Sequence, residues 1–465
     1  MARVALTVME TLKALLVKEC GPALPISESE EALQQFSRDE SGLPGQPPQL
    51  VVYAQSTAQV QAVVRACRQL KVPLTPVGAR SGKSGGSIPT CGGVALSLEK
   101  MNQIIGIQVD DLTATVQPGV VTAELHRAAD AVGLMYAPDP NSSDWCTIGG
   151  NVAENAGGPR ALKYGVTRDA VLELLWVFPD GSVERLGRKT MKGVAGFDLV
   201  SLCVGSEGTL GIATEITVKL LPKPRAVLTA LASFESVEKA AQAVTQILKS
   251  GSLPRALELL DEVALEAVKG RALPVSDEAQ SVVLIELDGF SAEALMLEME
   301  ELEKTIGPFS RQPLLVAQSE AQRTQIWQVR QSVSPALREL KKFKLSEDIV
   351  VPRSKLVEAI RQFKAAGAEH GLTVATYGHA GDGNLHTNVL FEGPHQQKQV
   401  DAVMAQVMKI TIDLGGTITG EHGVGLAKRA FLAAEQSASL ISFQKKLKQL
   451  VDPENLFNPG KIFPD

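Results

Sequence analysis

The sequence predicts an α+β protein of two or three domains, on three observations. Its 465 residues exceed one ordinary hydrophobic core. Its first half alternates short apolar strands, glycine-rich loops and helices as far as about Pro224. Its second half runs strand, helix, strand, strand, helix, strand and then begins that order again, the pattern of a ferredoxin-like unit. Apolar content of 44% and charged content of 21% belong to a folded soluble protein.

The elements follow in order. Met1 to Cys20 reads as an amphipathic helix, because Glu10 and Glu19 interrupt any cleavable apolar region of a signal peptide. Gly42 to Pro48 reads as an extended linker. Val51–Tyr53 is a short strand. Ser56 with Gln59 has capping-box spacing, and Val60, Val63, Val64 and Cys67 then form one buried helical stripe. Strands follow at 74–77 and 94–98. A closing strand places Ile216, Val218 and Leu220 on one face and Glu215, Thr217 and Lys219 on the other. Lys223-Pro224 marks a boundary.

Beyond it lie a strand at 226–234, a helix at 236–250 and strands at 256–260 and 282–287. A helix at 291–305 and a strand near 314–317 complete one ferredoxin-like set. After a long helix at 321–342 the order restarts: strand 348–351, helix 354–370, strands 373–377 and 385–390, helix 395–414. The organisation predicted is an N-terminal helical segment at 1–45, a first domain at 46–224 and a second at 225–410. A C-terminal segment at 411–465 packs back on the first domain.

Composition excludes several functions. The net charge of −6 comes without any basic block, so nucleic acid is not the partner. Cys20, Cys67, Cys91, Cys146 and Cys203 are scattered and make no CxxC pair. They fit a reducing, cytoplasmic compartment and exclude a housed iron–sulfur cluster of the usual cysteine-rich type. No apolar run approaches the ~20 residues of a membrane span.

Three glycine-rich runs carry the first half. Pro76-Val-Gly-Ala-Arg-Ser-Gly-Lys-Ser-Gly-Gly86 lies between two strands, where consecutive N–H groups can face an anion. It is neither a Walker A loop nor a Rossmann fingerprint, because a strand follows where those require a helix. Thr147 to Gly158 and Leu202 to Ile212 have the same texture, and together the runs suit a backbone laid against a flat phosphorylated ligand.

Two short pieces carry the chemistry of the second half. Tyr377-Gly-His-Ala-Gly-Asp-Gly-Asn-Leu-His386-Thr-Asn388 and Gly420-Glu-His-Gly-Val-Gly425 hold three of the six histidines. Gly381-Asp-Gly383 is a hairpin turn, so His379 ends one strand and His386 begins the next. His386 and Asn388 share a face. His379, His386 and Glu421 are able to ligate a metal, which leaves His422 as a base. The plainer alternative is a histidine that only hydrogen-bonds the turn. Arg330 offers a guanidinium to a carboxylate, or else a solvated charge on a helix.

These runs, with Asn458-Pro-Gly-Lys461, resemble the vanillyl-alcohol-oxidase type of FAD-binding domain. The C-terminal half resembles the FAD-linked oxidase C-terminal domain, and the whole is similar to FAD-linked D-2-hydroxyacid dehydrogenases. That branch includes D-lactate dehydrogenase and the glycolate oxidase flavoprotein subunit. The resemblance implies a two-subdomain FAD-binding domain plus a ferredoxin-like antiparallel-sheet substrate domain. It implies FAD contacts at Pro76, Gly78, Ala79, Arg80, Ser81, Gly82, Ser84, Gly85 and Pro138. Further contacts are implied at Thr147, Gly149, Gly150, Asn151, Asn155, Gly157, Gly158, Glu207, Gly211, Ile212 and Asn458. The resemblance further implies non-covalent FAD, since Lys83 stands nearest the position where covalent members carry histidine.

The resemblance assigns His379, His386 and Glu421 to a divalent ion, zinc or manganese. It assigns His422 as the base, Arg330 to the substrate carboxylate and Asn388 to the substrate. A small 2-hydroxy acid is the implied substrate, with D-lactate or glycolate favoured. The lysine of the D-2-hydroxyglutarate enzyme has no clean counterpart, Lys344 being about two residues displaced. Electrons pass to a quinone, cytochrome, electron-transfer flavoprotein or iron–sulfur subunit, with membrane contact only through such a partner. The alternatives are a D-2-hydroxyglutarate dehydrogenase, a flavin-using transferase of the alkyl-dihydroxyacetonephosphate-synthase kind, or a non-catalytic flavoprotein subunit.

Overall fold

A computed structural model describes residues 5–271 and 278–464. They form two units. The first comprises Met1–Gly157, Gly165–Lys223 and Glu421–Asp465; the second comprises Gly158–Tyr164 and Pro224–Gly420.

Among its described residues the first unit holds two larger sheets and a two-stranded one, in which Leu134–Met135 pairs antiparallel with Leu221–Pro222. Leu50–Tyr53, Val94–Ser97 and Leu74–Val77 run parallel, and Ile26–Ser27 joins antiparallel outside Leu50–Tyr53. The helix Thr57–Leu70 buries Val60, Val63, Val64 and Cys67 against this sheet, beside Leu12 and Leu16 of the helix Leu6–Cys20. Ser56 Oγ caps Gln59 N at 3.3 Å. Gln59 Oε1 accepts from Gln55 N at 2.7 Å, so the reciprocal bond falls one residue earlier than in the usual capping box.

The second sheet is antiparallel, in the order Ile104–Gln108, Thr113–Val116, Ile212–Lys219, Val171–Val177, Val183–Gly187. Ile216, Val218 and Leu220 are buried, as the alternation requires. Thr217 departs from the pattern. It is also buried, and its hydroxyl meets that of Thr115 across the ladder at 3.0 Å. A short polar side chain can occupy a covered face when a cross-strand partner satisfies it.

The second unit is built on one seven-stranded antiparallel sheet. Its order is Leu315–Val316, Ala226–Phe234, Ser281–Gly289, Ala256–Leu260, Thr373–His379, Asn384–Phe391, Phe343–Val350. The first four strands have ferredoxin-like order, with helices Val237–Lys249 and Ala292–Ile306 between them. The last three repeat its start, with helices Leu356–Glu369 and Gln397–Asp413. In place of a fourth strand, Thr417 makes one bridge to Val350. Ala256–Leu260 and Thr373–His379 join the halves through only three residue pairs.

Two elements differ from the sequence reading. A short helix, Glu262–Ala267, follows Asp261, whose carboxylate caps Ala264 N at 2.9 Å. The strand Phe343–Val350 starts earlier than 348. Lys344, Ser346 and Asp348 make one of its faces polar, and that face pairs with Leu390, Asn388 and His386. A polar site face erases the apolar alternation by which a strand is read.

Gly383 closes the hairpin at φ +87°, and a Cβ there would lie 2.1 Å from Val351 O. Gly383→Ala should lower the unfolding free energy by about 2 kcal/mol or more, measured by urea titration. Phe363 is wholly buried in the second unit. Phe363→Ala should cost about 3–5 kcal/mol in the same experiment.

Candidate active site

In the second unit the hairpin lays one polar face on the sheet. Tyr377 pairs with His386, His379 with Asn384 and Ala375 with Asn388, so alternate residues of both strands share a side. The His379 and His386 rings are 5.2 Å apart in an edge arrangement, and Tyr377 lies 5.4 Å from His386. Glu258 sits opposite His379 on the neighbouring strand.

Glu258 is completely buried. Its Oε1 accepts from His379 Nδ1 at 2.5 Å, and its Oε2 accepts from Arg330 Nε at 2.7 Å. Arg330 Nη2 also pairs with it. Burial would raise its pKa, but the Arg330 charge and the hydrogen bonds from His379 and Arg330 outweigh that and hold it at about 2. Arg330 comes from the helix Glu320–Leu340, is 4% exposed, and lies over the Tyr377 ring at 4.9 Å. The solvated-arginine alternative therefore fails.

Lys344 reaches the same face. It donates to Ser334 Oγ at 2.7 Å and to Asn388 Oδ1 at 3.3 Å, while Asn388 Nδ2 donates to His386 O at 3.0 Å. Asp348 accepts from Asn384 Nδ2 at 2.5 Å, Thr419 Oγ1 at 3.2 Å and Gly420 N at 2.8 Å. That fixes the backbone of this unit up to the residue before Glu421.

In the first unit, Glu421 and His422 open an irregular loop, with Gly423 at φ +79° and Gly425 at φ +49°. Glu421 Oε2 would lie 3.1 Å from a Cβ on Gly157, so that glycine makes room for this carboxylate. His422 Nε2 is 3.9 Å from Glu421 Oε1. Glu207 grips the next residues, accepting from Val424 N at 2.8 Å and Gly425 N at 2.7 Å. Ser84 O accepts from Leu426 N and Ala427 N. Glu154 presses on Gly86 and Gly423. Burial, reinforced by Glu207, pushes its carboxyl well above the usual range.

The glycine-rich runs converge in this unit. Asn458 Nδ2 donates to Gly86 O at 2.8 Å and to Glu207 O at 2.7 Å, tying the first run to the third. Gly205 N and Glu207 N donate to Val152 O and Ala153 O, tying the third to the second. Thr147 caps the helix Ile148–Glu154, and its Oγ1 would lie 2.6 Å from a Cβ on Gly78. The hydroxyls of Ser84, Ser87 and Ser206 are buried without hydrogen-bond partners. Buried donors facing a glycine-rich backbone fit a bound phosphorylated cofactor.

Several residues expected at the cofactor also have protein partners. Arg80 pairs with Glu99 at 2.9 Å and lies 4.4 Å over Phe36, while its backbone at φ +61° bends the loop between half-buried Ala79, Ser81 and Gly82. Asn151 Nδ2 donates to Thr122 Oγ1, and Asn155 Oδ1 accepts from Arg168 N. Pro138 O accepts from His126 Nε2, and Pro76 packs near Gly208. A Cβ on Gly149 would strike Pro118, and one on Gly211 would strike Trp176. Gly85 packs against Leu426 and Leu43; Ile212 is core; Gly150 N meets Thr147 Oγ1 at 3.4 Å. Gly158 belongs to the second unit. Cys146 is a packed thiol beside Thr122 Oγ1, raised in pKa by burial.

Sequence reasoning passed over Glu258, Asp348 and Asn384. Glu258 left a signal, being the one charge in the apolar strand Ala256–Leu260. A charge inside an apolar run needs a buried partner. Asp348 and Asn384 left none, because their partners are distant in sequence.

Comparison with known proteins follows this division. Residues 48–187 match an FAD binding domain family, and residues 223–462 match the C-terminal domain of FAD linked oxidases. The chain is 39% identical to the glycolate oxidase subunit GlcD of Bacillus subtilis, over 98% of this chain and 97% of that one. It is 37% identical to a D-lactate dehydrogenase of Anaerostipes hadrus, over 96% of each. Among solved structures, p-cresol methylhydroxylase with substrate bound superposes with a TM-score of 0.82 at 18% identity, covering 99% of this chain and 98% of that one. Alkyldihydroxyacetonephosphate synthase superposes at 0.74 with 19% identity, covering 98% and 84%. These structural likenesses support the vanillyl-alcohol-oxidase-type fold. The chain is an oxidoreductase belonging to the FAD-linked oxidases.

Proposed function

We propose that this protein oxidises a small D-2-hydroxy acid, lactate or glycolate first among them, to the 2-oxo acid. The observation that supports this reading most directly is the face carrying buried Arg330, Asn388, His379 and His386 beside half-buried Lys344. Two cations beside two imidazoles suit a carboxylate with a neighbouring hydroxyl. The relatives named for glycolate and D-lactate agree with it.

The roles divide as follows. Arg330 pairs with the substrate carboxylate, and Asn388 orients the molecule. His422 accepts the hydroxyl proton, a task an imidazole performs as general base. FAD, held non-covalently by the glycine-rich runs, supplies the two-electron oxidant for the α-hydrogen and its electron pair. His379, His386 and Glu421 would hold zinc or manganese, whose chemistry is to polarise the hydroxyl and lower its pKa. The nitrogen and carboxylate donors suit either ion. The accepting partner is a quinone, a cytochrome, an electron-transfer flavoprotein or an iron–sulfur subunit. No helix among the described residues is long and apolar enough to cross a membrane.

A second reading has one observation in its favour. The Lys344 ammonium, beside Ser334 and Asn388, is placed to meet a second carboxylate. D-2-hydroxyglutarate is the substrate it would fit.

Three outcomes check these readings. Anaerobic D-lactate or glycolate should bleach the oxidised-flavin absorption of the purified protein, while L-lactate should not. A flavin that neither D-lactate, glycolate nor D-2-hydroxyglutarate reduces defeats the proposal. His422→Ala should retain flavin yet slow reduction by about 10²-fold or more in stopped flow. Lys344→Met should cut kcat/KM for D-2-hydroxyglutarate by about tenfold or more and spare lactate, if the dicarboxylate is the substrate.

A further inference from the structure

We propose that Glu258 is a positioning residue that sets two active-site groups at once: the tautomer of His379 and the pose of Arg330. The inference deepens the proposed function and rests on it for the roles of those two residues.

The geometry carries the argument. Glu258 stands on Ala256–Leu260, the strand where the two halves of the sheet meet, directly opposite His379 in the ladder. One oxygen accepts from His379 Nδ1 at 2.5 Å; the other accepts from Arg330 Nε at 2.7 Å. A guanidinium has donors only, and an ionised carboxylate has acceptors only. Arg330 therefore requires acceptors here, and His379 must place its proton on Nδ1. The lone pair of a neutral His379 is then on Nε2, the nitrogen on the far side of the ring from Glu258. A carboxylate behind an imidazole in this way is the usual device for orienting a metal-ligating histidine.

The same carboxylate holds the guanidinium edge formed by Nε and Nη2. With that edge fixed and the Tyr377 ring 4.9 Å from Cζ, the guanidinium plane has little freedom. Arginine recognition of a carboxylate depends on that plane, so the orientation of substrate depends on Glu258 without contact between them.

Glutamine at 258 has the same shape but one acceptor and one donor. Arg330 can face only the amide oxygen. The amide NH₂ is then presented to His379 Nδ1, which must become the lone-pair nitrogen while its proton moves to Nε2. A merely structural role for Glu258 predicts no such change.

The test uses the full-length flavoprotein labelled with ¹⁵N-histidine, stripped of metal by a chelator. Long-range ¹H–¹⁵N correlation spectra, assigned with His379→Gln, report the tautomer at a pH where the ring is neutral. The wild type should show His379 protonated on Nδ1, and Glu258→Gln should move the proton to Nε2. Cobalt(II) titration of the same proteins should show affinity about 10- to 100-fold weaker in Glu258→Gln. KM for the hydroxy acid should rise, while flavin content stays at the wild-type level. A wild-type His379 protonated on Nε2, or a tautomer and KM unchanged in Glu258→Gln, overturns the proposal. The wild-type measurement decides the tautomer even if the variant does not fold. If the wild type takes up no cobalt, the metal assignment fails, while tautomer and KM still decide the role of Glu258.

Discussion

The second unit depends on one short ladder, in which Glu258, Leu259 and Leu260 pair with His379, Gly378 and Tyr377. Every other junction in that sheet is internal to one half of the repeat. The ladder joins two strands that lie more than a hundred residues apart in sequence, and it does so through a buried carboxylate opposite a buried imidazole. Placing an ionised carboxylate in a core costs several kcal/mol unless it is paired and hydrogen-bonded. Glu258 meets that condition through His379 and Arg330. The residues that satisfy the fold at this point are therefore the residues proposed for the chemistry.

The first unit shows a comparable economy around its glycine-rich runs. Asn458, Glu207 and Ser84 each bond backbone groups of a different run or of the loop after His422. Glu207 adopts φ +52°, a conformation that non-glycine residues hold only where surrounding contacts require it. Its carboxylate fixes the residues just beyond His422, so the residue proposed as the base and the glycine-rich runs share one set of hydrogen bonds. Glycines here serve two ends. Some keep the backbone open, and others, such as Gly157 beside Glu421, clear space for a side chain.

Much of this was legible in the sequence. The hairpin turn at 381–383, the shared face of His386 and Asn388, and the repeat of the ferredoxin-like order all follow from local spacing. The three glycine-rich runs announced a phosphorylated ligand because their texture is local too. Less legible were groups whose meaning lies in a remote partner. That Lys344 meets Ser334 and Asn388 could not be read by counting residues, because it depends on strand register and the reach of a four-carbon stem. The strand from Phe343 was cut short because its site face is polar. Arg80, Asn151 and Glu207 sit in the expected runs, yet their side chains bond protein.

The sequence by itself determined the α+β class, the two kinds of domain, the FAD-linked family and the identity of the histidines to watch. These are set by short-range patterns: period-two and helical alternation, turn residues, and motifs a dozen residues long. Only the tertiary structure decided what those side chains bond. It put Glu258 behind His379, Lys344 beside Ser334, and Asp348 under Gly420. Such contacts join residues far apart along the chain, and no local pattern encodes them. They arise when burial forces each charged group to find its partner wherever the fold has brought one.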